Sequence, residues 1–355
     1  MEATKQIRIE RSKSSLINQI DFNNLDFGRY HTDHMFITDF ANNDWQDPRV
    51  IPYQSLSLSP ATAALHYGQT IFEGFKAYRA SNGDILVFRP EKHWERMNLS
   101  AERICMPFIP KDLFMEGVVQ MVKIDKEWVP KQDGCSLYFR PFAFAADPVI
   151  RVRPSDTYHF IIFCSPVGAY FSGKLKVKIE TEYVRAAEGG IGFSKTGGNY
   201  AASLLPARLA AAEGYQQIMW TDAKEHKYIE ETGASNVMFI IDNVLVTPKL
   251  STSILAGVTR DCILTLARDW GMKVEERKVS VEEIIYAIKN KTLKEAFGTG
   301  TAAVISPIST IFYDGIDYEI PEPGKDSFST KMTKALSDIK LGIAEDPYNW
   351  VMRIS

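Results

Sequence analysis

The stretch of this sequence best suited to chemistry is Gly189–Tyr200, GGIGFSKTGGNY, in which Gly189, Gly190, Gly192, Gly197 and Gly198 surround one lysine, Lys195. Glycines, having no Cβ, let the backbone come close to a ligand. A phosphate-binding P-loop needs G-x-x-x-x-G-K-[ST], and counted from Gly189 the second glycine's place is taken by Ser194. The dinucleotide pattern G-x-G-x-x-G fails as well, because its third glycine would fall on Lys195. What remains is the lysine. Most lysines are solvated surface groups, but Lys195 has glycines and apolar residues for neighbours rather than charges. Desolvation favours the neutral amine, and that form condenses with a carbonyl. The chemistry expected here is imine formation, and pyridoxal phosphate is the aldehyde most commonly held in that way.

A pyridoxal site makes further demands. Its pyridine nitrogen needs an acid beside it, and Tyr228–Asn236, YIEETGASN, supplies Glu230 and Glu231 at the end of an apolar run. Strand alternation would turn only one of them inward, unless both are ordinary strand-end surface groups. Its phosphate needs backbone N–H groups at a helix start and a cation. Ala256–Arg260 (AGVTR) and Phe297–Ala303 (FGTGTAA) offer bare turns of that kind, although each could be a plain helix cap or strand turn.

These residues need elements to hold them. Strands are expected at Met35–Phe40, Ile85–Phe88, Cys135–Phe144 and Thr157–Ser165. Helices are expected from Pro90, where Trp94, Met97, Ala101 and Ile104 share one face, and over Lys111–Lys126. Pro166–Lys174, PVGAYFSGK, reads as a linker. Beyond it come a strand at Leu175–Val184, a helix over Asn199–Glu213 and a strand at Gln216–Thr221. A hairpin of Val237–Ile241 and Val244–Val246 should turn at Asp242-Asn243. Helices near Thr259, over Ser280–Lys289 with a Ser280/Glu283 capping box, and over Ser327–Ile343 complete the pattern. Without strict βαβ repetition, the order predicts two α+β lobes rather than a doubly wound sheet.

The composition is that of a globular chain: 355 residues, 45% apolar and 24% charged, with a net charge of −3. There is no basic surplus of the kind nucleic-acid binding requires, and no apolar run of membrane-spanning length. The opening MEATKQIRIERSKSS has no apolar core and carries Glu2 and Glu10, so neither a secretory nor a mitochondrial leader is expected. Cys105, Cys135, Cys164 and Cys262 form no C-x-x-C, which argues against zinc and against a redox dithiol, so no metal is expected, and fits a reducing cytoplasm.

Taken in order, HYGQTIFEGFKAY (His66–Tyr78), FRPEKHWERM (Phe88–Met97), LYFRPF (Leu137–Phe142), PVGAYF (Pro166–Phe171), GGIGFSKTGGNY, EETGASN, GVTR and GTGTA resemble the fold-type-IV pyridoxal-phosphate enzymes. Within them the likeness is to the branched-chain amino acid aminotransferases, from about Gly28 to near the C-terminus. The resemblance implies a two-domain α+β fold like that of D-amino acid aminotransferase. A smaller N-terminal α/β domain (1–165) and a linker (166–174) would precede a larger, β-barrel-like α/β domain (175–355) carrying the lysine.

The same resemblance implies roles for individual residues. Lys195 would hold the cofactor as an imine and carry the proton between Cα and C4′. Tyr200 would bond the cofactor's phenolic oxygen, and Glu231 rather than Glu230 its pyridine nitrogen. Arg96 would bind the phosphate together with the N–H groups of Val258, Thr259 and Thr301. Those of Thr301 and Ala302 would meet the substrate carboxylate. Tyr67, Phe72, Tyr138, Arg140 and Tyr170 would form the substrate pocket, with Arg140 taking glutamate's side-chain carboxylate. Ile150 and Val152 would reach into a neighbouring subunit, implying a homodimer. The implied reaction is reversible amino transfer between leucine, isoleucine or valine and 2-oxoglutarate. The alternatives are aminodeoxychorismate lyase, D-amino acid aminotransferase, or a silent paralogue that only binds. Two departures stand out. The C-x-x-C of mammalian members is replaced by Ala303–Ser306, so thiol control is not expected, and Ala234 lacks the threonine hydroxyl of the usual motif.

Overall fold

The chain packs as two units in a computed structural model that describes residues 6–168, 175–301 and 304–355. One unit takes Met1–Tyr170, Ser194–Gly197 and Asp338–Ser355; the other takes Phe171–Phe193 and Gly198–Ser337.

The first unit is built on a sheet that, among the described residues, runs in the order Arg8–Ile9, Asp44–Pro52, His34–Ala41, Tyr158–Val167, Ser136–Ala145, Phe75–Arg79, Ile85–Phe88, Val351–Ile354. Thr70–Phe72 also pairs with Ser136–Ala145. Apart from the first pair, neighbours are antiparallel. Helices Pro90–Arg103 and Lys111–Ile124 supply Met97, Ala101, Phe114, Val118 and Met121 to a core with Phe36, Phe75, Phe139 and Phe160. Each helix turns one apolar stripe inward, as the sequence periodicity requires.

The second unit's sheet runs Ile229–Thr232, Gln217–Thr221, Leu175–Ile179, Val304–Tyr313, Leu293–Gly300, Asn236–Ile241, Val244–Pro248, Val274–Arg277. Ile316–Glu319 pairs with Val304–Tyr313. Ile229–Thr232 stands at one end of this order, yet it turns directly into Asn236–Ile241, five places along. Laid flat, those places would be roughly 24 Å apart at about 4.8 Å per strand, and a link of four residue steps reaches only about 14 Å. The sheet therefore curls into an open barrel around Val177, Met219, Val237, Phe239, Ile308 and Ile311.

Most expected elements are present, and the exceptions have local causes. The strand from Leu175 stops at Ile179, because the Glu180 carboxylate accepts the N–H groups of Glu182 and Tyr183 at 2.8 and 3.1 Å and bends the chain away. The helix expected over Asn199–Glu213 is split into Gly197–Ala201 and Leu204–Ala212. Pro166 and Val167 belong to a strand rather than a linker. The expected cut into 1–165 and 175–355 differs more substantially from the packing. Val351–Ile354 pairs with Ile85–Phe88, and Ser194–Gly197, with the lysine, joins the first unit.

Candidate active site

In the first unit the backbone of Lys195 and its neighbour Thr196 is tied to the elements around it. The Lys195 N–H donates to Ser100 Oγ at 2.8 Å, its carbonyl accepts from Phe72 N–H at 3.0 Å, and Thr196 bridges to Ile71. Ser100 is fully buried, and its hydroxyl donates to the Arg96 carbonyl at 3.0 Å. One hydroxyl thus joins the lysine segment to the helix that carries Arg96. The Lys195 amine lies 4.9 Å from the Phe72 ring centroid, and the Arg140 guanidinium lies 4.7 Å from the same centroid. Arg140 donates to Tyr138 Oη at 3.1 Å, and its buried Nε has no partner among the described residues. A Cβ on Gly74 would sit 1.8 Å from Tyr138 Oη, so the glycine of the F-E-G-F run is the space that hydroxyl occupies. Phe27, which the sequence reading did not single out, meets the Tyr138 ring edge-on at 5.0 Å.

Arg96 is buried, and it forks onto a residue that the motif contained but to which no role was given. Glu73 accepts from its Nε and Nη2 at 2.7 and 2.9 Å and contacts His93 Nδ1 at 2.6 Å. Burial works against ionising Glu73, but the Arg96 guanidinium and His93 outweigh it and hold the carboxyl well below the usual range. Burial pushes the His93 imidazole down despite Glu73, and the charges of Arg96 and Lys195 add to that. Tyr67 is half-exposed, and Ile150 and Val152 stand out from the loop after Ser136–Ala145 at 67% and 82% exposure. Tyr170 lies outside the described residues.

In the second unit both glutamates of E-E-T-G are buried, whereas strand alternation predicts only one inside. The reason is the segment around Ser253 and Leu255, which supplies partners to each. Ser253 Oγ donates to Glu230, and Leu255 N–H donates to Glu231 Oε1 at 3.2 Å. Burial raises the Glu230 pKa. Glu231 Oε1 also accepts from Asn236 Nδ2 at 3.0 Å, and Oε2 pairs with Arg185 at 2.7 Å. A cavity of about 120 Å³ is lined by Arg185, Tyr200, Glu231, Ala234 and Leu255, among others. Nearby, Gly257 leads into helix Val258–Asp269, whose start has no side-chain cap. A Cβ on Gly257 would meet Asn236 Oδ1 at 2.0 Å, so Gly257 makes room for the amide that holds Glu231. Thr301 follows strand Leu293–Gly300, and the hydroxyl of nearby Thr299 is buried without a partner among the described residues. Ala302 lies outside the described residues.

These features suit pyridoxal phosphate. A buried carboxylate and a phenol line a cavity, an uncapped helix start offers N–H groups to an anion, and an amine is fixed at its backbone beside an aromatic ring. Sequence reasoning missed Glu73, Ser100 and Arg185. Only Glu73 left a signal, as a charge inside an otherwise apolar run.

The model of the class IV amino-transferases matches residues 70–311. Branched-chain-amino-acid aminotransferase 2 of Bacillus subtilis is 44% identical over 99% of this chain and 98% of its own length. A branched-chain aminotransferase from Thermoproteus uzoniensis, crystallised with norvaline, superposes with a TM-score of 0.74 at 26% identity, covering 91% of this chain and 100% of that one. The Escherichia coli branched-chain amino acid aminotransferase gives a TM-score of 0.72 at 26% identity over 91% of this chain and 99% of that one. The fold, the cofactor chemistry and these matches agree: the chain belongs to the branched-chain-amino-acid aminotransferases, pyridoxal-phosphate-dependent members of the class IV amino-transferase family.

Proposed function

We propose that this chain transfers the amino group of leucine, isoleucine or valine to 2-oxoglutarate, reversibly and with one substrate reacting after the other. The observation that carries this reading is the shared ring: the Lys195 amine and the Arg140 guanidinium both lie over Phe72, 4.9 and 4.7 Å from its centroid. A branched aliphatic side chain has an aromatic wall to rest against beside the reacting amine. A glutamate side chain finds a guanidinium in the same place. One pocket thereby serves both an apolar and an acidic substrate.

When bound, pyridoxal phosphate supplies the aldehyde that accepts the amino group and a ring that spreads the electron pair freed at Cα. The rest falls to the chain. Lys195 would carry the proton between Cα and C4′. Glu231 would pair with the pyridine nitrogen and Tyr200 with the phenolic oxygen. Arg96 and the N–H groups of Val258, Thr259 and Thr301 would hold the phosphate, while those of Thr301 and Ala302 would orient the substrate carboxylate. Tyr67, Phe72, Tyr138 and Tyr170 would line the side-chain pocket. Ile150 and Val152, exposed in the single chain, pack into the pocket of a second copy, so the working form is a homodimer. No helix among the described residues is long and apolar enough to cross a membrane. The cysteines form no C-x-x-C, and the reading places the enzyme in the cytoplasm.

The test is turnover of leucine with 2-oxoglutarate by the purified protein, with borohydride labelling of the cofactor-bound form. Glutamate should form, the label should fall on Lys195, and Lys195→Ala should abolish both. Turnover of D-alanine in place of L-leucine, or release of pyruvate from aminodeoxychorismate, would replace this reading with another family activity.

A further inference from the structure

Arg185 has no role so far, yet its guanidinium is nearly sealed from solvent and sits on the acid assigned to the cofactor ring. Its side chain is 8% exposed, and Nη2 lies 2.7 Å from Glu231 Oε2. The same nitrogen donates to the Gly192 carbonyl at 3.1 Å and to the Ser253 carbonyl. Gly192 is bare for this purpose: a Cβ there would meet Ala186 Cβ at 2.5 Å and the Ser253 carbonyl at 2.6 Å. Part of the glycine-rich loop therefore lets the chain close around an arginine rather than around a phosphate. With Oε1 held by Asn236 and Leu255, both oxygens of Glu231 are fixed.

We propose that Arg185 is a positioning residue for the cofactor's ring nitrogen, acting through Glu231 to keep that carboxylate ionised and aimed. The proposal rests on the reading in which Glu231 meets the pyridine nitrogen. A cation beside a buried carboxylate stabilises its charged form. The proton shared by the pair then stays on the ring, where it draws electrons from Cα. Without Arg185 that proton moves toward the carboxylate, and the ring loses its pull. Glu230, the other buried acid facing Arg185, does not compete strongly for the guanidinium. Burial shifts it toward the neutral form, and Asp222 and Glu188 push the same way against Ser253 and Arg185.

The experiment measures binding of two probes to the cofactor-stripped full chain: pyridoxal phosphate, and its 1-deaza analogue with CH in place of the ring nitrogen. The parent should prefer pyridoxal phosphate. Arg185→Met should shrink that preference about tenfold, the equivalent of one pKa unit, while leaving affinity for the deaza analogue unchanged. Arg185→Lys should restore most of it. Equal weakening of both probes, or no change in either, would mean that Arg185 is merely a structural ion-pair partner, and the proposal fails. If Arg185→Met does not fold, Arg185→Gln against Arg185→Lys decides the same ratio. Glu231→Gln is the separate check: it should erase the preference, and a preference that survives it overturns the Glu231 assignment whatever Arg185 does.

Discussion

Arg140 joins the two halves of the proposed specificity, because only glutamate brings a second carboxylate to it. Replacing it with alanine removes a charge-assisted partner worth about 1.5–3 kcal/mol. The kcat/KM for glutamate should fall roughly 10- to 150-fold. Leucine should lose much less, since the Phe72 ring that the guanidinium covers remains; equal losses would remove Arg140 from the pocket. Gly74 belongs to the same device. An alanine there would place its Cβ 1.8 Å from Tyr138 Oη, and the Tyr138 ring, buried and in contact with Phe27, has little freedom to retreat. Gly74→Ala should cost about 1–3 kcal/mol through overpacking and should impair glutamate more than leucine by dislodging the hydroxyl that Arg140 bonds. Denaturant midpoints and separate half-reaction rates for the two amino acids would show both effects.

Ser194–Thr196 belongs to no helix or strand of its own, so its position depends on neighbouring elements. Ser100→Ala would take this acceptor from the Lys195 N–H in a part-buried setting, costing at most about 1–3 kcal/mol. Turnover should drop together with unfolding free energy, whereas a loss of stability with unchanged kcat would mean that the hydroxyl only packs the helix. Elements set by local rules were legible in the sequence. Asp242 and Asn243 take the positive φ values, 46° and 63°, that a two-residue hairpin requires, and Ser280 Oγ accepts from Glu283 N–H at 3.1 Å, as the capping pattern predicts. The glycines and the lone lysine of the Lys195 loop marked where chemistry belongs. What could not be read was set by pairing distant in sequence. No local signal tells that Val351–Ile354 pairs with Ile85–Phe88, or that the lysine segment packs with the N-terminal unit. Glu73 and Arg185 escaped for the same reason, since each is defined by a partner more than twenty residues away.

Across the whole chain, ionisable groups buried on folding set how stability varies with pH. His93 is held below its ordinary value, so beneath about pH 6.5 the unfolded chain takes a proton that the folded one refuses, and stability falls toward acid. Glu73, Asp39 and Asp147 are depressed as well; their contributions, present above the unfolded carboxylate range, are lost as pH drops through the folded values. Lys76 extends the trend above neutrality. Burial and then repulsion from Lys340 bring it down to about 7 against a slight opposing pull from Cys135. From there to about pH 10.4 only the unfolded chain protonates it, so stability should keep rising with pH. The rise ends when the unfolded chain begins to lose thiol protons near pH 8.5–9, because burial raises Cys135 and Cys164 in the folded state. Urea unfolding from pH 5 to 10 should therefore give a curve that climbs through neutrality and turns over on the alkaline side. Lys76→Met, which replaces a buried cation with a side chain of similar length, should raise stability at pH 7 and flatten the limb between pH 7 and 9. A limb as steep in the variant as in the parent would place its origin in another group.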